Sequence, residues 1–242
     1  MSSPALEHDH SPAAIRERLS ADPKPSYLRD AVFGAIDGTV TTFSIVAGVS
    51  GAALSGSIVL VLGLANLLAD GFSMAIGAAS STRSEQRNIK RLRAMEHRHI
   101  ERDPEGERAE VCHLLQRLGF SGDALRSAIE VITADRERWV EFMLREEHGI
   151  ARATRSPWRS GLMTFAGFLS AGALPLAPFA LGASSGFFVS AGATGFAFCI
   201  IGAATARLTD ENMIWGAMRI LTVGSIAAAL AYGVGRALEP FL

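Results

Sequence analysis

Apolar residues in this chain come in long blocks. From Ala31 to Gly56 the only charged residue is Asp37, and from Ser57 to Ser81 it is Asp70. Gly161–Gly182 and Phe187–Ala206 carry no charge, and Ile214–Leu238 carries Arg219 and Arg236. A helix rising about 1.5 Å per residue needs roughly 20 apolar residues to cross about 30 Å of hydrocarbon. Each block is long enough, so the pattern predicts five membrane-spanning helices. An odd number of spans puts the two termini on opposite sides of the membrane.

Between the second and third blocks the pattern changes. Of the 47 Asp, Glu, Lys and Arg residues, 30 lie between Arg83 and Arg159. Thr82–Arg102 contains no Pro or Gly and is mostly good helix formers, so the second span is expected to run on as one long helix. Asp103 suits an N-cap and Pro104 the first position of a second helix ending near Leu118. Gly119 and Gly122 bracket a turn, and Ser121–Glu147 reads as a third helix. The expected fold is an all-α membrane protein with five transmembrane helices and a three-helix cytoplasmic insert between spans two and three. The expected divisions are a flexible tail (1–26), spans one and two (27–82), the insert (83–157), and spans three to five (158–242).

Composition sharpens this division. The chain is 49% hydrophobic and 19% charged, with a formal net charge of −1. The charge figure averages a nearly uncharged bundle and a highly charged insert. Near-neutrality gives no reason to expect nucleic acid as a partner. Two cysteines, Cys112 and Cys199, are too few for a disulfide framework. Basic residues lie in the tail (Arg16, Arg18, Lys24, Arg29), in the insert, and at Arg207, while the other two loops carry no charge. The positive-inside rule then puts the N-terminus and the insert in the cytoplasm. The Gly- and Ala-rich style of the spans points to a bacterial inner membrane, or an organellar one in a eukaryote.

Ionisable residues inside hydrocarbon are costly, so Asp37 and Asp70 require a reason. Asn66, Asp70, Ser73, Met74 and Gly77 fall on one helical face that offers amide, carboxylate, hydroxyl and thioether groups. The stripe reads as a cation path, or else as hydrogen bonding and packing between helices. In the insert, Glu96 and His99 are three residues apart, as are Glu107 and Glu110, while Met143 and Glu147 are four apart. Carboxylate, imidazole and thioether together suit first-row divalent ions, although solvated charged helices show the same spacing. Glu96-x-x-His99 and Glu110-x-x-His113 raise a further alternative, a membrane-anchored di-iron ferroxidase. A membrane metal sensor is another.

Taken together, these residues resemble the vacuolar iron transporter family. Ala35-Ile-Asp37-Gly-Thr-Val40 with Val46-Ala-Gly-Val-Ser50 is similar to its first-span signature, and Gly63-Leu-Ala-Asn66 with Asp70-Gly-Phe-Ser-Met74 to its second. Glu96, Ile100, Pro104, Glu107 and Glu110, then Phe142-Met143-Leu144-Arg145 with Glu147 and Gly149, extend the likeness through the insert. The resemblance implies proton-coupled export of Fe²⁺ or related ions (Mn²⁺, Co²⁺, Zn²⁺) from the cytoplasm. It implies a homodimer with its path at the dimer interface, no tightly bound cofactor, and a transporter rather than an enzyme. By position, Asp37 and Met74 would be ligands within the membrane, with Asp37 also carrying protons. Glu96, Glu107, Glu110, Met143 and Glu147 would be ligands in the insert. This chain departs from the family pattern in three places. Ala78 replaces an acidic residue, for which Asp70 would supply a carboxylate, His99 replaces a Glu, and Leu144 replaces a second Met.

Overall fold

The computed structural model describes residues 9–20, 25–150, 155–183 and 186–242. Of the expected tail, residues 1–8 and 21–24 lie outside the described residues, while Pro12–Ser20 form helix α1. Regular structure among the described residues is entirely helical. The chain divides into two compact units. One is built from Ser26–Arg83 and Ser156–Leu242, the other from Ser84–Arg155 with the N-terminal segment.

In the first unit, α2 spans Leu28–Gly51, and the 47-residue α3 begins at Gly56 and runs to Arg102, contributing to both units. Five helical stretches are long and apolar enough to cross a membrane: Leu28–Gly51, α3, Pro157–Ala180, Gly186–Arg207 and Met213–Phe241. Large apolar residues such as Leu62, Leu68, Phe72, Phe196 and Leu230 are exposed on this unit. In water such a surface would aggregate, whereas in a bilayer it meets lipid tails.

Close backbone approach holds these helices together. A β-carbon at Gly34 would overlap the Thr164 carbonyl, and one at Gly38 would overlap the Phe168 backbone. Small residues allow this contact where no hydrophobic gradient drives helices together. Phe43, Val46, Val59, Leu67, Phe168 and Phe198 fill the core beside these contacts.

The third apolar block is not one regular helix. Helix α7 (Pro157–Gly172) gives way to a 3₁₀ turn at Leu174–Leu176 and a short α8 (Ala177–Ala180). Pro175 and Pro178 cause the break, because neither can donate a backbone hydrogen bond. The buried Ser190 hydroxyl donates to the Pro175 carbonyl at 2.7 Å, satisfying one acceptor of the broken turn. Ser190 belongs to α9 (Gly186–Leu208), which is followed by α10 (Met213–Leu238), N-capped by the Asn212 side chain. Arg219 Nη1 lies 3.6 Å from Glu211 Oε2, so this in-span arginine reaches back to the loop at the start of its helix.

In the second unit, α3 continues to Arg102 and α4 spans Pro104–Arg117. Asp103 caps α4 by accepting from the Gly106 N–H at 3.0 Å, and Pro104 takes the first helical position. The expected single third helix over 121–147 is instead two, α5 (Gly122–Thr133) and α6 (Arg136–Glu146). Asp135 divides them. Its backbone is extended, and its carboxylate accepts from the Arg138 N–H at 2.8 Å, starting a new helix within the run. Val111, Leu115, Trp139, Val140, Phe142 and Met143 form the core of this unit. Cys112 and Cys199 are both free.

Candidate metal centre

The insert places its carboxylates where its core faces continue. On α4, Glu107, Val111 and Leu115 recur every four residues and all three are buried. On α3, Glu96 and Ile100 share the same relation and are both buried. At the end of α6, the buried Met143 stands four residues before Glu147, which follows the helix and is exposed. The apolar faces of three helices therefore run on into acid side chains. For the buried Glu96 and Glu107 that is costly unless something positive meets them, since an ionised carboxylate loses several kcal/mol of hydration on burial.

Two overlapping groups of possible ligands result, each with its ligand atoms within 4.8 Å of one another: Glu96, His99 and Glu107, and Glu96, Glu147 and His148. His99 Nδ1 lies 3.2 Å from Glu107 Oε1. His148 Nε2 lies 2.9 Å from Glu96 Oε1 and 3.6 Å from Glu147 Oε2. The second oxygens of Glu96 and Glu107 are buried with no hydrogen-bond partner. Burial pushes the Glu107 carboxyl up to about 7. Glu96, Glu110 and Glu147 add to that shift, and His99 opposes it. The Glu147 carboxyl is also raised, first by burial, with Glu96 and Glu110 adding and His148 and His99 opposing.

The insert residues named from spacing fall as follows. Glu96, His99, Glu107 and Glu147 come together. Glu110 is exposed, but its charge bears on both Glu107 and Glu147. Met143 is fully buried in the apolar core. His113, the second histidine of the paired Glu-x-x-His motifs, is exposed and belongs to neither ligand group. The ferroxidase pairing read from those motifs is not assembled. Spacing missed His148. It follows the end of α6, where Gly149 adopts φ 66° and the Ile150 N–H returns to the Leu144 carbonyl at 2.9 Å. Helical periodicity does not extend to such a turn, and the only available signal was a histidine adjoining Glu147.

In the spans, Asp37, Asp70 and Met74 are each half-buried. Asp70 is the charged group that bears on Asp37, so the two acidic residues of α2 and α3 share one neighbourhood. Met74 packs against the bundle core. The Asn66 amide nitrogen is buried without a partner, whereas Gly77 faces open space. Among the described residues, both groups of three or more ligand side chains lie in the insert.

The sequence profile of the VIT family matches residues 28–236. A vacuolar iron transporter of Toxoplasma gondii is 33% identical over 225 residues, covering 88% of this chain and 74% of its own. Vacuolar iron transporter 1 of Arabidopsis thaliana is 29% identical over 215 residues (88% and 86%). Its namesake in Oryza sativa is 27% identical over 238 residues (97% and 93%).

Proposed function

The chain belongs to the VIT family and is a membrane metal-ion transporter rather than an enzyme, and from that premise we propose that it exports Fe²⁺ from the cytoplasm in exchange for protons. The observation that carries this reading is the pair of buried, partnerless carboxylate oxygens on Glu96 and Glu107. A buried carboxylate oxygen with no donor costs free energy that a bound divalent ion would offset.

In this reading the ion first collects in the insert on Glu96, His99, Glu107, Glu110 and Glu147, with Met143 offering its thioether. It then passes to the level of Asp37, Asp70 and Met74. A homodimer would supply these residues twice along a path between the two copies. Carboxylate with thioether favours a transition ion over Mg²⁺ or Ca²⁺, which prefer oxygen alone, so Mn²⁺, Co²⁺ and Zn²⁺ are further candidate substrates. Ligand carboxylates bind metal only when deprotonated. An ion and a proton therefore compete for the same oxygen, which is a physical basis for exchange. The basic loops support an insert on the cytoplasmic face. The host membrane is proposed to be a bacterial inner membrane, or an organellar one in a eukaryote.

The test is ion uptake into proteoliposomes holding a pH-sensitive dye, across Fe²⁺, Mn²⁺, Co²⁺ and Zn²⁺. Proton movement that appears only with a transported ion is the expected result. Ion flux with no proton movement would remove the coupling, and no flux with any of the four ions would remove the export reading.

A further inference from the structure

Two histidines flank the buried Glu96. His148 Nε2 is 2.9 Å from Glu96 Oε1 and 3.6 Å from Glu147 Oε2, and His99 Nδ1 is 3.2 Å from Glu107 Oε1. Donor atoms held on one first-row cation by bonds of about 2.1 Å stand about 3.0–3.4 Å apart. The three separations scatter around that range. Hydrogen bonding accounts for the shortest of them. It does not account for Glu96 Oε2 and Glu107 Oε2, which are buried beside these rings with no donor, in side chains 1% and 5% exposed. Glu96 belongs to both ligand groups, so the two groups share one carboxylate.

We propose that His148 and His99 are nitrogen ligands of two neighbouring divalent-cation positions that share Glu96, and that they set the insert's ion preference. This rests on the reading that the insert binds the transported ion. Imidazole suits Fe²⁺, Co²⁺, Ni²⁺ and Zn²⁺, whereas an all-oxygen set suits Mn²⁺, Mg²⁺ and Ca²⁺. Each ring then tilts an otherwise carboxylate cluster away from Mn²⁺. The α6 terminus supports this for His148. The left-handed Gly149 and the Ile150-to-Leu144 bond fix the turn that presents the ring, which is 17% exposed, to the two carboxylates.

The experiment titrates full-length protein in detergent micelles with Co²⁺ and, separately, Mn²⁺, following heat and the visible Co²⁺ absorption. His148→Leu removes the ring and its hydrogen bond. His148→Gln keeps an N–H for Glu96 but has no ring nitrogen. Both variants are expected to lose about tenfold or more in Co²⁺ affinity, with a much smaller change for Mn²⁺ and an altered Co²⁺ spectrum. His99→Gln is expected to act in the same direction. If His148→Gln keeps the wild-type affinity ratio and spectrum, the ring is only a hydrogen-bond partner and the proposal is overturned. Glu107→Gln separates this failure from a deeper one. Weakened binding of both ions in that variant leaves the insert as the binding site, while unchanged binding removes the insert site together with the proposal.

Discussion

The two acidic regions of this protein are built in opposite ways. In the insert, three helices and one turn bring Glu96, His99, Glu107, Glu147 and His148 into overlapping ligand groups, with two carboxylates almost fully buried. In the spans, α2 and α3 contribute one carboxylate each, both half-buried, with the Met74 thioether on the same face of α3 as Asp70. The contrast fits the two tasks proposed for these regions. A collecting site gains from many donors, because affinity rises with ligand number and charge. A passage site must also let go, so its binding has to stay weak enough for release.

The strongest way to break this contrast is to remove the sparse site. Asp37→Ala is expected to abolish metal-driven proton flux in proteoliposomes while full-length protein still binds ions through the insert. Flux at the wild-type level would show that the span carboxylate is not on the route. Next comes the dense site. Glu107→Gln combined with Glu110→Gln is expected to weaken ion binding by about 10–100-fold, measured by titration of the full chain, with transport slowed at low ion concentration but not lost at high. Complete loss of flux at saturating ion would mean that the insert is part of the path itself.

A smaller effect separates packing from chemistry in the spans. Gly38 lies against the Phe168 backbone, whereas a side chain at Gly77 would meet open space. Gly38→Leu is expected to cost about 1–3 kcal/mol or more through overpacking, read as a lower thermal midpoint in detergent. Gly77→Ala is expected to leave that midpoint at the wild-type value or slightly above it, because alanine favours a helix and no neighbour is met. Equal midpoints for the two variants would contradict the α2–α7 contact.

The smallest effect is a pH slope in the insert. The Glu107 carboxyl is raised from an ordinary 4.5 to about 7, first by burial. The folded state therefore holds this proton more tightly than the unfolded state does. Its contribution to stability is complete below about 4.5 and is lost as pH climbs through about 7. Metal-free protein is expected to melt at a lower temperature at pH 8 than at pH 5, and Glu107→Gln is expected to flatten that slope. Added divalent ion is expected to offset the loss at pH 8, because it binds the deprotonated form. A wild-type midpoint that rises with pH would contradict the burial of this carboxyl.

The five spans were legible because hydrocarbon imposes a length and a composition that few other constraints imitate. The cap at Asp103–Pro104 was legible for a similarly local reason, since Asp accepts from orphan N–H groups and Pro has no N–H to lose. The break at Asp135 was missed because helix formers lie on both sides of it, and its single cap outweighed their propensity. The interruption after α7 was not legible because the block was read by its length and lack of charge, which take no account of the missing donors of Pro175 and Pro178. Part of the site was legible as well. Glu96 and Glu107 each stand four residues from a buried apolar residue on the same helix, and Glu147 stands four residues after Met143 at the end of α6, so their facing follows from periodicity.

What the sequence alone determined, then, was the partition: five apolar segments of membrane-crossing length, one charged helical insert, and a carboxylate left in each of the first two spans. Each follows from interactions within a few turns of helix or with the solvent. Only the tertiary structure decided which insert charges are buried, and that His148 joins them. Burial depends on what other helices cover. His148 approaches Glu96 from 52 positions away through a turn, across a distance that no helical repeat records.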